Sequence, residues 1–347
     1  MDPLSPELTA ARAPSSAMPL PKQIWAFLAL AFALSWCMTF LAIKLHTREE
    51  FLNFGTAGPA LAAMILSYRG KSASSLSRSK RWFWFFLFLL IGWVVLSLHY
   101  LWRTSDHFEF HLNPLLLAPS IFPAWILSGF CARDVGTRSL LKRLVHRPNR
   151  WSWAALFALP ALLLAFSAIA QRFGAQLSLP GSEGSVSFVF ADALAFLFYN
   201  IFFVAVLEEL GWRGFLLDGL QTRFSPLLSS LLVWFPWALW HAPLDYYRPT
   251  PWTMAQYILL RVVFLVPLTL LLTWFYNRSR RSIQATVLFH ASMNTAPFVL
   301  PYFPPAWALI FVWTAYAVIS ARMWRFENRA SERTAAPGNP GTDTLVL

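Results

Sequence analysis

Long apolar runs separated by short basic clusters set the rhythm of this chain. Runs at 24–43, 82–101, 153–170, 188–222 and 252–276 reach the roughly 18–20 residues that a helix needs to cross hydrocarbon. Shorter or interrupted runs lie at 51–68, 114–131, 227–240, 283–300 and 305–319. Gly55, Gly58 and Pro59 fall inside one of them, which membrane helices tolerate because neighbours re-satisfy the freed backbone. The period-2 alternation of an outer-membrane barrel is absent. The pattern predicts an all-α, polytopic transmembrane helical bundle of about eight to ten spans, without an internal repeat.

Charge orients the bundle. Basic clusters (Arg69 to Arg81, Arg133 to Arg150, Arg278 to Arg281, Arg322 to Arg329) alternate with weakly charged loops, so the basic loops and both termini are expected in the cytoplasm. In a bacterium the membrane would be the plasma (inner) membrane. Composition agrees: 57% of residues are hydrophobic and 13% charged, against about a quarter charged in soluble domains. The net charge of +12 sits in these loops, where it contacts membrane lipids rather than nucleic acid. Cys37 and Cys131 lie in or beside apolar segments and form neither a metal spacing nor a disulfide framework. The first run lacks a small-residue cleavage site and reads as a retained helix.

One run breaks the rule. Ala205-Val206-Leu207-Glu208-Glu209-Leu210-Gly211-Trp212-Arg213-Gly214-Phe215-Leu216-Leu217 places two carboxylates and a guanidinium in apolar surroundings. A charge at a helix centre in hydrocarbon costs about 2.5–3.5 kcal/mol even on lenient scales. On a helix, Glu209 and Arg213 are four apart and pair along one face. Glu208 turns about 100° away and is left for another role. If the helix continues through Leu217, Glu208 lies near mid-membrane. Of seven histidines, only His241 and His290 have strongly apolar surroundings. Asn294 follows His290 by four, so imidazole and carboxamide share a face and aim at one point.

One carboxylate and two imidazoles admit two routes to amide hydrolysis. Zinc could be held by Glu208, His241 and His290 with an open position for water. Without metal, Glu208 and His241 would hold and deprotonate a water, while His290 and Asn294 stabilise the oxyanion. Two other classes use the same residues: a non-enzymatic immunity or scaffold protein, and a transporter with a proton relay. No His-Glu-x-x-His helix and no Gly-x-Ser-x-Gly turn occurs.

Three motifs in order carry a family resemblance: Glu-Glu-x-x-x-Arg at Glu208, Glu209 and Arg213, an aromatic-x-x-x-His at Trp237 and His241, and His-x-x-x-Asn at His290 and Asn294. Over 196–298 the chain resembles the type II CAAX prenyl endopeptidases and their bacterial relatives in bacteriocin processing and immunity. The second motif has Phe in the family, so Trp237 keeps an aromatic wall and alters cavity shape. The resemblance implies an intramembrane endopeptidase acting on a peptide or lipidated-protein substrate. Glu208 would activate water with His241, His290 and Asn294 would form the oxyanion side, and Glu209 and Arg213 would support. Both a glutamate and a metallo mechanism are implied. The chain would then divide into a disordered tail (1–22), N-terminal transmembrane helices (23–187), the catalytic transmembrane domain (188–321) and a second disordered tail (322–347).

Overall fold

The computed structural model describes residues 20–44, 53–68, 78–104, scattered positions between 114 and 128, 135–144, 148–174, 186–243 and 253–299. The expected run at 305–319, the C-terminal tail and residues 1–19 lie outside the described residues. Every regular element among the described residues is helical. Helix α1 spans Leu20–Lys44. A 3-10 turn, Asn53–Ala57, leads into α2, Gly58–Ser67. Then come α3 (Arg78–Thr104), α4 (Val135–Lys142) and α5 (Arg150–Arg172). Helix α6 starts as Val186–Tyr199 and ends as Asp218–Leu220. It is followed by α7 (Pro226–Trp240), α8 (Met254–Arg278) and α9 (Ile283–Val299).

Two expectations change. The run at 51–68 is not one span: Pro59 at the start of α2 opens a helix of only 10 residues, as proline favours the first turn. The basic segment after Arg133, expected as loop, contains α4. Thr137 and Leu140, one helical turn apart, are both buried there, so the segment is a short amphipathic helix lying on the bundle.

Helix α6 runs without a break. Its apolar part, Ala193–Leu220, covers 28 residues and is long enough to cross a membrane, as is Leu20–Leu41 in α1. Glu208 therefore sits just past the middle of a span. Two π-helical turns interrupt the α geometry, Asn200–Ala205 and Trp212–Leu217, and they flank Val206–Gly211, which carries both glutamates. Such turns leave backbone carbonyls short of helical partners, and side chains from neighbours take them. The Thr56 hydroxyl donates to Phe203 O at 3.0 Å, and the Arg143 guanidinium donates to Gly214 O.

Small residues let the helices close up, as expected where packing rather than water expulsion drives association. A Cβ on Gly211 would lie 2.5 Å from both the Cβ and the carbonyl oxygen of Pro59, so only glycine lets α2 touch α6 there. Phe27 of α1 packs edge-on to Trp212 (5.5 Å) and stacks on Phe215 (5.3 Å). Hydroxyls and indoles fasten the rest. Ser292 donates to Leu156 O (2.6 Å) between α9 and α5. Ser230 donates to Thr273 (2.8 Å) and the Trp234 indole to Val262 O (2.7 Å) between α7 and α8. Large apolar side chains such as Phe83, Leu259 and Val263 face outward, as they do on a bundle whose solvent is lipid. This is an integral membrane protein.

At one end of the bundle, Asp218 at the end of α6 is ion-paired to Arg143 (3.3 Å) and Arg281 (3.1 Å), and the Tyr276 hydroxyl donates to it at 2.8 Å. Burial works against the charge on Arg143, yet neighbouring Tyr276 and Asp218 more than offset it and hold its pKa above the ordinary value. This cluster ties α4, α6 and α8 together.

Candidate active site

The site grows from the middle of α6. Arg213 donates to Glu209 Oε1 at 2.8 Å, and neither side chain is exposed at all. The four-residue spacing delivers the expected pair. Glu208, one position earlier, points to a different neighbour. The indole N–H of Trp237 donates to Glu208 Oε2 at 2.9 Å, in a contact buried on both sides. Sequence reasoning left Glu208 without a partner; α7 supplies one.

Helix α7 enters with its N-terminus capped by Ser225, whose hydroxyl accepts from Leu228 N at 3.3 Å. Three turns on, Trp237 faces α6, and the Arg213 guanidinium lies 4.1 Å above its ring. His241 follows at the end of α7. Its Nδ1 is 2.8 Å from the carbonyl oxygen of Trp237. A carbonyl only accepts, so Nδ1 carries the proton and Nε2 is left as an acceptor in the neutral ring. The ring is wedged edge-on between Trp237 (5.7 Å) and Trp240 (4.9 Å).

Helix α9 completes the arrangement. His290 is buried, with Nδ1 at 2.8 Å from Glu209 Oε1. One oxygen of Glu209 therefore takes both Arg213 and His290. The His290 ring also meets Trp237 edge-on at 5.8 Å. Asn294 is held elsewhere: its amide donates to Asn200 Oδ1 at 3.1 Å. Asn200 in turn donates to Phe196 O (2.9 Å) and Thr295 Oγ1 (3.4 Å).

The structure brings most of the motif residues together and pairs them in ways that spacing alone does not give. Glu208, Glu209, Arg213, Trp237 and His290 form one connected buried cluster, with His241 against it through Trp237. His290 and Asn294 share a helix face but have separate partners, Glu209 and Asn200. Asn200 is the residue that motif reading missed; an amide inside an otherwise uncharged apolar stretch was the available signal. Among the described residues, no three of His, Cys, Asp and Glu are arranged to hold a metal ion. The zinc alternative built on Glu208, His241 and His290 would use Glu208 Oε1 and the imidazole Nε2 atoms, since Glu208 Oε2 and His290 Nδ1 are engaged by Trp237 and Glu209; a carboxylate on the far nitrogen is the usual support of a ligating imidazole.

Chemically, the cluster is a carboxylate fixed by one N–H donor beside an imidazole backed by a second carboxylate. His290, Glu209 and Arg213 all lie within electrostatic reach of Glu208. A buried set of carboxylate and imidazole groups held by hydrogen bonds is suited to moving protons.

Comparison with known proteins leads the same way. Residues 190–296, which hold all three motifs, match the family model of type II CAAX prenyl endopeptidase Rce1-like proteins. The chain is also similar to CAAX prenyl protease 2 of Methanococcus maripaludis, with 25% identity over 216 residues, covering 56% of this chain and 78% of that protein. With the helical membrane fold and the buried motif residues in hand, the chain is similar over residues 190–296 to the type II CAAX prenyl endopeptidases.

Proposed function

We propose that the protein hydrolyses a peptide bond of a membrane-associated, lipid-modified substrate near the membrane–cytosol boundary. Prenylated protein or peptide tails are the class suggested by the names of the matched family and relative. In this reading the part from 188 to 321 carries the chemistry. Both termini face the cytoplasm, and membrane lipids surround the bundle.

The observation that carries the mechanism is the Trp237 indole on Glu208 Oε2 at 2.9 Å. It leaves Oε1 to hold a water and take its proton, with His241 Nε2 as second acceptor. The water oxygen attacks the scissile carbonyl. The resulting oxyanion is met by the Nε2–H of His290, whose positive form is backed by Glu209, and by the second amide N–H of Asn294. The proton on Glu208 then passes to the departing amine as the C–N bond breaks. Arg213 balances Glu209 and takes no proton.

The test is cleavage of a farnesylated CAAX peptide by purified protein in liposomes. Glu208→Gln should lower kcat by about 10²–10⁴-fold, the range for loss of a general base. Wild-type turnover in that variant would overturn the assignment. Failure of the wild-type protein to cleave, with Glu208→Gln also trapping no substrate, would favour a non-enzymatic membrane role.

A further inference from the structure

The geometry points to Trp237 as the positioning residue for Glu208, a task its indole N–H performs and a phenyl ring cannot. The inference rests on Glu208 being the base proposed above and goes beyond it, because the resembling family has Phe at this point of its second motif. Four observations converge. The indole N–H donates to Glu208 Oε2 at 2.9 Å, and both side chains are buried. The same indole is pinned from behind by the Arg213 guanidinium, 4.1 Å over its face. Its rim meets both imidazoles, His241 at 5.7 Å and His290 at 5.8 Å. Its backbone oxygen also takes the Nδ1 of His241 at 2.8 Å. One residue therefore sets the rotamer of the carboxylate, the tautomer of one histidine and the spacing to the other.

A carboxylate on Cβ–Cγ–Cδ bonds has broad torsional freedom at its last bond. A donor on one oxygen removes that freedom and decides which oxygen stays open. With Phe at 237, Glu208 would keep its place on α6 but lose the N–H that fixes its plane. Near-attack geometry is sensitive to displacements of about 1 Å. Trp237 holds the carboxylate and stacks on the guanidinium, so the loss should fall on turnover rather than on substrate affinity.

The variant is Trp237→Phe, the residue the family itself uses, assayed in liposomes against Glu208→Gln and wild type. The expected result is a fall in kcat of roughly ten- to a hundredfold, the size of one hydrogen bond to a charged group, with KM within about twofold. The second readout is the indole N–H resonance of Trp237 in the ¹⁵N-tryptophan spectrum, assigned by its loss in Trp237→Phe. It should move in Glu208→Ala and stay in Glu209→Gln wherever that variant folds. A pure packing role predicts an unmoved resonance. If Trp237→Phe folds and retains wild-type kcat while Glu208→Gln is inactive, the positioning role is wrong and the Glu208 assignment stands. If Glu208→Gln is fully active, the base assignment itself fails, whatever Trp237→Phe does.

Discussion

Changing Glu209 to Gln separates a residue that holds the site from one that reacts in it. Glu209 Oε1 is 2.8 Å from Arg213 and 2.8 Å from His290, with both Glu209 and Arg213 fully buried. Breaking a buried ion pair by removing one partner typically costs about 3–5 kcal/mol, because the other charge is left uncompensated. Two features soften the loss. Glutamine keeps an oxygen that can accept from Arg213. The guanidinium also retains the Trp237 face, a cation–π contact worth about 0.5–2 kcal/mol. The expected loss is therefore near the lower end, about 3 kcal/mol. Against a total of about 5–15 kcal/mol, that is large. Glu208→Gln should behave oppositely. Its amide oxygen still accepts the Trp237 N–H, so stability should change by under about 1 kcal/mol while turnover collapses. Equilibrium unfolding in detergent micelles, run beside the liposome cleavage assay, reads both quantities. If Glu209→Gln unfolds with wild type and Glu208→Gln unfolds early, the division between supporting pair and reacting carboxylate is refuted.

Other outcomes follow from particular contacts. Gly211→Ala drives a methyl against Pro59 backbone and should destabilise by about 1–3 kcal/mol or more, seen as a lower unfolding midpoint. Asn200→Ala removes the acceptor that holds the Asn294 amide; kcat should fall about tenfold with KM little changed, and an unchanged kcat would detach Asn294 from the oxyanion. Arg280 has a φ of 60°, in the left-handed region that costs a side chain about 1–2 kcal/mol, so Arg280→Gly should raise the unfolding midpoint. Thr253 accepts from Gln256 N at 3.3 Å in a reciprocal capping box at the start of α8. Thr253→Val should therefore cost about 0.5–2 kcal/mol in the same measurement.

Local patterning made the spans legible. Apolar length, basic clusters and helix breakers act within a few residues of one another, so 24–43 and 283–300 are located within a few residues of α1 and α9. Patterning misled where a segment's partner is distant: α4 looks like a basic loop because only its packing against the bundle makes Thr137 and Leu140 a buried face. The two π-helical turns in α6 left no mark in composition, since they depend on Thr56 and Arg143 coming from other helices to satisfy the freed carbonyls.

The candidate site divides the same way. The Glu209–Arg213 pair was readable because both partners lie on one turn of one helix, where spacing is geometry. So was the anomaly of Glu208, because a carboxylate in an apolar run is costly wherever its partner stands. Which atom meets it was a tertiary matter. Trp237 lies on another helix, and nothing in its neighbourhood along the chain distinguishes an indole that seals a wall from one that donates to a carboxylate. His290 and Asn294 share a helical face by sequence, yet α6 offers Glu209 to one and Asn200 to the other. Sequence alone determined a helical membrane bundle with a few costly ionisable groups inside its apolar runs, because hydrocarbon penalises every exception. The tertiary structure decided how those groups are paired, because hydrogen bonds between helices depend on rotation and depth that no local period encodes.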